Sequence, residues 1–314
     1  MKFCSIFKSL RADIFYTFTN RIISSYFFAL KISIIIVNYN AKELLESCLL
    51  SVIDAARNIN SEIIVVDNAS TDESSSFFKN KFNEVEFIWN NENIGFSKAN
   101  NLALKKVTGD YILFLNPDTV IPEDCLEKCI QFFGLHSDCG ALGVKMLNEK
   151  GTFLKESKRG FPTPLVSFYK MIGLCKLFSR SKKFAKYYEG HLNENETNKV
   201  EVLSGAFMML SKSALSKVSG FDERFFMYGE DIDLSHRISQ AGFNNYYFAE
   251  TSIIHYKGKS TNKKDSSYTK YFYGSMKLFA EKYYGNKKIK LFFINRAIDF
   301  VSMLSHLKRM LTRN

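Results

Sequence analysis

The chain has 314 residues, 46% hydrophobic and 15% aromatic, enough to bury one large α/β domain or two smaller ones, and too apolar for a mainly disordered protein. Formal net charge is +11, from 43 basic and 32 acidic residues, but the excess is local. Segment 1–31 carries +4, 155–190 carries +7 and 287–314 carries +6, leaving −6 for everything else.

The N-terminal 30 residues are basic and apolar. Their run "IISSYFFAL" is too short to cross a bilayer and lacks the small-residue cleavage site of a signal peptide. From residue 32 strand and helix patterns alternate. Strands are expected over 32–37, 62–66, 85–89 and 110–115, and helices over 41–56, after Thr71, and over 96–107. That β-α-β-α order predicts a doubly wound, mostly parallel sheet. Beyond residue 150 the rhythm breaks. The basic, aromatic 155–190 stretch and the polar "GHLNENETNK" read as an insertion or mobile loop. Residues 200–210 return to the core, a helix follows over 231–241 closed by Gly242, and 244–256 form a further strand. Residues 287–314 read as an amphipathic helix with Leu291, Ile294, Ile298, Val301, Leu304 and Leu307 along one face. The expected division is 1–30, 31–286 and 287–314.

In an open parallel sheet, ligands bind beyond the carboxyl ends of the strands. Those ends carry Asn38, Tyr39 and Asn40; Asp67, Asn68 and Ser70; Asn91, Asn93 and Gly95; then Asn116 and Asp118 in "YILFLNPDTV". Four polar tips therefore face one crevice. No G-x-G-x-x-G follows the first strand, and neither a P-loop nor a G-x-S-x-G elbow occurs. The chemistry falls to carboxylates. Asp118 suits a hard divalent cation, although a turn Asp after proline is an equally good reading in isolation. Glu230, Asp231 and Asp233 open a helix, where Asp233 can pair with Arg237. Three carboxylates crowded beside Phe225, Phe226 and Tyr228 also form a setting that raises a pKa and produces a base. His255 alone reads as a structural histidine. Cys4, Cys48, Cys125, Cys129, Cys139 and Cys175 contain no C-x-x-C pair and read as reduced thiols of a cytoplasmic protein.

The segments "IIIVNYNAKELLESCLLSV", "IIVVDNASTDES", "NNENIGFSKANNLAL", "YILFLNPDTVIPEDCLE", "SGAFMMLSKSALSKVSGFDERFFMYGEDIDLSHRISQAGF" and "IIHYKGKST" occur in order. In this they resemble inverting family 2 glycosyltransferases, and in particular the rhamnosyltransferase-like branch of bacterial surface-polysaccharide synthesis, from about Ile32 to Ser260. The resemblance implies a GT-A fold with a nucleotide-binding half and an acceptor-binding half. It implies that Asp67 contacts the nucleotide base, and that Asn38, Tyr39, Asn40, Asn68, Asn93, Gly95 and Asn116 line the nucleotide pocket. Asp118, the last carboxylate of a D-x-D-type motif whose first position is here Asn116, would hold Mg²⁺ or Mn²⁺ with His255. Asp231 would be the base, supported by Glu230, with Gly205, Ala206 and Phe226 near the donor sugar and acceptor.

The expected partners are a nucleotide-sugar donor, with rhamnose or another deoxysugar as the candidate sugar, and a saccharide or polyprenyl-linked acceptor. An anionic membrane surface is expected to receive the basic apolar segments on the inner face of the cell membrane, against the rival that the C-terminal helix packs on the domain. Basic and aromatic residues also suit single-stranded nucleic acid, but the C-terminal stripe favours the membrane and no nucleic acid is expected. Two alternatives stay open: a non-catalytic glycan- or lipid-binding descendant of the fold, and a sugar nucleotidyltransferase, which would release pyrophosphate.

Overall fold

In the computed structural model, residues 30–258 and 266–311 are described. The N-terminal segment and Cys4 lie outside them. Strands β1 (Lys31–Asn38), β2 (Asn60–Asp67), β3 (Val85–Trp89) and β4 (Tyr111–Leu115) pair in parallel in the order β3-β2-β1-β4. Helices α1 (Lys42–Ala56), α2 (Ser74–Phe78) and α3 (Phe96–Leu104) make the connections. Both faces are covered, so the strands are continuous apolar runs split by the pleat. Ile32, Ile34, Ile36, Leu113 and Leu115 pack with α1 residues Leu45, Leu49 and Val52. Ile35, Val37, Ile112 and Phe114 pack on the other side with Ala99 and Ala103 of α3. Each fully buried Ile or Leu contributes about 1.5–3 kcal/mol.

The second half extends the same sheet. The two-residue strand β5 (Thr119–Val120) and helix α4 (Cys125–Leu135) lead to β6 (Cys139–Leu147), which sequence periodicity did not single out. Strand β8 (Phe207–Ser211) pairs antiparallel to both β4 and β6, and the long β9 (Asn244–His255) runs parallel to β6. Strand β7 (Asn198–Val200) and β5 both pair antiparallel to β9. The 155–190 stretch is more than a loop: it forms α5 (Pro164–Met171), with Thr163 capping its N-terminus, and the short α6 (Leu174–Leu177). After α7 (Lys212–Val218) comes α8 (Glu230–Gln240), closed at Gly242 with φ 91°.

Two helices finish the chain, α9 (Ser266–Tyr284) and α10 (Lys288–Leu311), packed against each other. Among the described residues no helix is long and apolar enough to cross a membrane. The expected single stripe on α10 is corrected in part. Ile298 is buried and Leu291, Ile294 and Val301 are half-buried, whereas Leu304 and Leu307 are exposed. A different apolar face points outward, formed by Ile289, Phe292, Phe293, Phe300 and Met303 together with those two leucines. The five described cysteines are buried free thiols.

Candidate active site

The carboxyl ends of β1, β2, β3 and β4 converge because their registers align; Asn38 lies opposite Asp67, and Asp67 opposite Trp89. Asn38 is fully buried and donates its carboxamide N–H to Asp67 Oδ2 at 2.7 Å. The Ser70 N–H donates to Asp67 Oδ1 at 2.8 Å. Asn38 Oδ1 has no partner among the described residues, an uncommon state for a buried acceptor and one that suits a ligand or water. Asn40 takes a left-handed φ of 51°, and its side-chain oxygen accepts from the Thr71 N–H at 2.6 Å. Tyr39 is 45% exposed at the rim. Asp72 is structural: it accepts from Lys42 N and Ser74, and these bonds outweigh desolvation to hold its carboxyl below the usual range.

Asn68 is a strut. Its carboxamide donates to Gly95 O at 3.2 Å and accepts from Asn90 at 2.9 Å. Asn93 accepts from the Gly95 N–H at 3.0 Å. Gly95 has φ 85°, and a Cβ there would meet the Phe226 ring and carbonyl at 2.7 Å, so only glycine fits. That close approach joins the two halves, since the Phe96 N–H donates to Phe226 O at 2.7 Å. Phe226 in turn stacks on Tyr271 of α9, with centroids 4.3 Å apart. Asn116 is held by its backbone, donating to Ala206 O at 3.0 Å and accepting from Thr119 Oγ1 at 2.8 Å.

Asp118 and His255 are far apart in sequence and adjacent in space. Strand β5 pairs Thr119 with His255, and the Tyr256 N–H donates to Asp118 O at 2.9 Å. His255 Nε2 thus lies 3.3 Å from Asp118 Oδ1. Both side chains are largely buried, and His255 Nδ1 has no partner among the described residues.

The acidic motif begins α8 after Tyr228 (φ 71°) and Gly229 (φ 87°), two left-handed residues that turn the chain sharply into the helix. Asp231 Oδ2 accepts from Arg159 Nη2 at 2.5 Å and from the Gly205 N–H at 3.1 Å. Ala206 is buried beside it. Glu230 is buried, and Oε2 lacks a partner among the described residues. Desolvation, reinforced by the neighbouring Asp231 charge, pushes its carboxyl up to about 8, because burial beside a like charge disfavours the ionised form. Asp233 pairs with Arg237 at 2.7 Å, with Lys282 at 2.5 Å, and accepts from Tyr283 OH at 2.7 Å. It clamps α8 to α9. Sequence reasoning missed Arg159, because "KESKRG" reads as one more basic stretch and no spacing ties it to residue 231.

The model of glycosyl transferase family 2 matches residues 33–219, and that of the N-terminal domain of galactosyltransferase matches residues 193–259. The chain is 31% identical to rhamnosyltransferase WbbL of Escherichia coli K12, over 68% of this chain and 77% of that one. It is 25% identical to the N-acetylglucosaminyl-diphospho-decaprenol L-rhamnosyltransferase of Mycobacterium tuberculosis, over 66% and 70%. Among solved structures, S. aureus TarS 1–349 in complex with UDP-GlcNAc superposes with a TM-score of 0.54 at 20% identity, over 80% of this chain and 66% of that one. Mannosyltransferase PcManGT from Pyrobaculum calidifontis, solved with GDP-Man and Mn²⁺, gives 0.50 at 17% identity, over 80% and 61%. This chain thus spans slightly less than two-thirds of those two structures, which share the fold. With the family model covering more than half of its length, the chain belongs to glycosyl transferase family 2.

Proposed function

We propose that this glycosyltransferase is inverting and moves a deoxysugar, rhamnose first among the candidates, from a nucleoside diphosphate donor to a lipid-linked saccharide. The observation that carries the mechanism is a pair of built groups: Asp118 beside His255 at 3.3 Å, and Asp231 held by Arg159 and Gly205. The first group suits a cation on the donor diphosphate, the second a base for the acceptor. The relatives' names support the donor and acceptor classes.

Asn38, Tyr39, Asn40, Asp67, Asn68, Asn93, Gly95 and Asn116 form or brace the nucleotide pocket in this reading. Asp118 and His255 would hold Mg²⁺ or Mn²⁺. One carboxylate and one imidazole, with no cluster of three His, Cys, Asp or Glu among the described residues, would leave the rest of the ion's coordination to the donor diphosphate. Such an ion supplies Lewis-acid neutralisation of the leaving diphosphate. Asp231 takes the acceptor hydroxyl proton as the acceptor oxygen bonds to C1. The C1–oxygen bond breaks and its electron pair leaves on the diphosphate. A single displacement inverts the anomeric centre. Glu230, buried beside Asp231 with its carboxyl pushed up by desolvation, supports it.

The purified protein should release nucleoside diphosphate from a panel of dTDP-L-rhamnose, UDP-N-acetylglucosamine and GDP-mannose, with one donor preferred and EDTA abolishing release. No nucleoside diphosphate from that panel, with pyrophosphate released instead from a nucleoside triphosphate and a sugar 1-phosphate, would favour the nucleotidyltransferase. Binding without release, with a prenyl-diphosphate-linked N-acetylglucosamine acceptor present, would favour the non-catalytic reading.

An anionic membrane surface is the proposed docking partner, with 31–286 as the transferring unit and 287–314 as the docking unit. The outward face of α10 supports this, with Phe292, Phe293 and Phe300 all more than half exposed and Lys287, Lys288, Lys290 and Arg296 nearby. Basic residues near such a surface add about 1 kcal/mol each and a buried Phe about 1.5–3 kcal/mol. Substituting Phe292→Ser and Phe293→Ser together should cut sedimentation with phosphatidylglycerol vesicles at least tenfold, by roughly those magnitudes, with unchanged melting and donor hydrolysis. Vesicle binding at the original level would reject the docking face.

A further inference from the structure

Arg159 comes from the basic stretch that looked like an insertion, yet it is built into the core of the site. Its backbone forms an antiparallel bridge with Val202, donating to Val202 O at 3.1 Å and accepting from its N–H at 2.9 Å. Its guanidinium Nη2 donates to Leu203 O and to Asp231 Oδ2, each at 2.5 Å. Asp231 Oδ2 also accepts from the Gly205 N–H. Three segments thus close into one ring: residue 159, residues 202–205, and the first turn of α8. The adjacent Lys158 is buried and pins the same stretch by donating to Glu189 O at 2.8 Å and Leu192 O at 2.9 Å.

The ring treats the two oxygens of Asp231 differently. Oδ2 holds two bonds, one of them charge-assisted, while Oδ1 accepts only the Ile232 N–H, at 2.8 Å, among the described residues. A carboxylate oxygen has two acceptor sites, so Oδ1 keeps one for an incoming hydroxyl. The Arg159 side chain is 12% exposed and that of Asp231 15%, so the pair is stiff and poorly screened.

Resting on the reading of Asp231 as the base, we propose that Arg159 is a positioning residue that fixes the Asp231 carboxylate and reserves Oδ1 for the acceptor hydroxyl. Arg159 makes none of its side-chain hydrogen bonds with the nucleotide rim or with Asp118 and His255. Its loss should therefore fall on transfer and spare donor binding.

The test uses the full chain, dTDP-L-rhamnose as donor, a prenyl-diphosphate-linked N-acetylglucosamine as acceptor, and the variants Arg159→Met, Arg159→Lys and Asp231→Asn. Arg159→Met should lower kcat about 10- to 100-fold, the loss expected for a group misplaced by an ångström. Donor KM and dTDP affinity should stay within about twofold, since uniform binding is untouched. Arg159→Lys should recover part of kcat, because one ammonium can reach Asp231 but cannot reproduce the fork. If Arg159→Met does not melt cooperatively or bind dTDP, Arg159→Lys decides: folded with reduced kcat supports the proposal. Wild-type kcat in a folded variant, a donor KM that rises as kcat falls, or loss of folding in both variants would overturn it. An active Asp231→Asn instead overturns the base assignment. Asp231→Asn inactive beside fully active Arg159 variants removes only the positioning role.

Discussion

Asp231→Asn should reduce sugar transfer by roughly 10²- to 10⁴-fold, the usual cost of losing a general base, while nucleoside diphosphate binds as before. The substitution keeps the shape of the side chain. Its carboxamide oxygen can still accept from Arg159 and the Gly205 N–H, so α8 stays in register, but it cannot take a proton. Glu230→Gln is the informative companion. Glu230 is buried and its carboxyl is pushed up to about 8 by desolvation, so glutamine, uncharged and of nearly the same shape, is a mild replacement there. The Gln variant should therefore keep transfer within about tenfold of wild type, well short of a base deletion. Kinetics of both variants at pH 7, with titration of dTDP, check this. Abolished transfer in Glu230→Gln beside normal transfer in Asp231→Asn would move the base by one residue.

Asp118→Ala should cost nucleoside diphosphate affinity at least about tenfold with Mn²⁺ or Mg²⁺ present, since losing even an outer-shell partner of a metal ligand costs 10- to 100-fold in metal affinity. The residual binding should no longer respond to EDTA. Asp118 is 2% exposed, in the short β5 turn against His255, so Asp118→Asn, which keeps the volume, separates loss of charge from a cavity. Calorimetric titration of dTDP into both variants, with and without metal, measures the effect. Affinity that stays high and metal-sensitive in either variant would remove Asp118 from the cation site.

The sequence by itself determined the parallel half of the fold, because its signals are local. A run such as "ISIIIV" followed by helical periodicity specifies a strand covered on both faces and its return helix. The polar tips after each strand, from Asn38 to Asp118, follow from the chain direction of a parallel sheet. The Asp233–Arg237 pair was legible from i,i+4 spacing alone, and the ordered motifs pointed to the family.

Only the tertiary structure decided which distant residues meet. His255 reads as structural in isolation; the antiparallel pairing of β5 with β9 brings it to Asp118 across 137 residues. Arg159 was one cation in a basic stretch until its bridge to Val202 fixed it against Asp231, 72 residues on. The helical period of α10 was right, but the sequence offers two apolar faces, and packing on α9 decides which is spent. Periodicity and propensity act over a few residues. Strand pairing and buried ion pairs are long-range choices, made only when the whole sheet closes and desolvated groups must find partners.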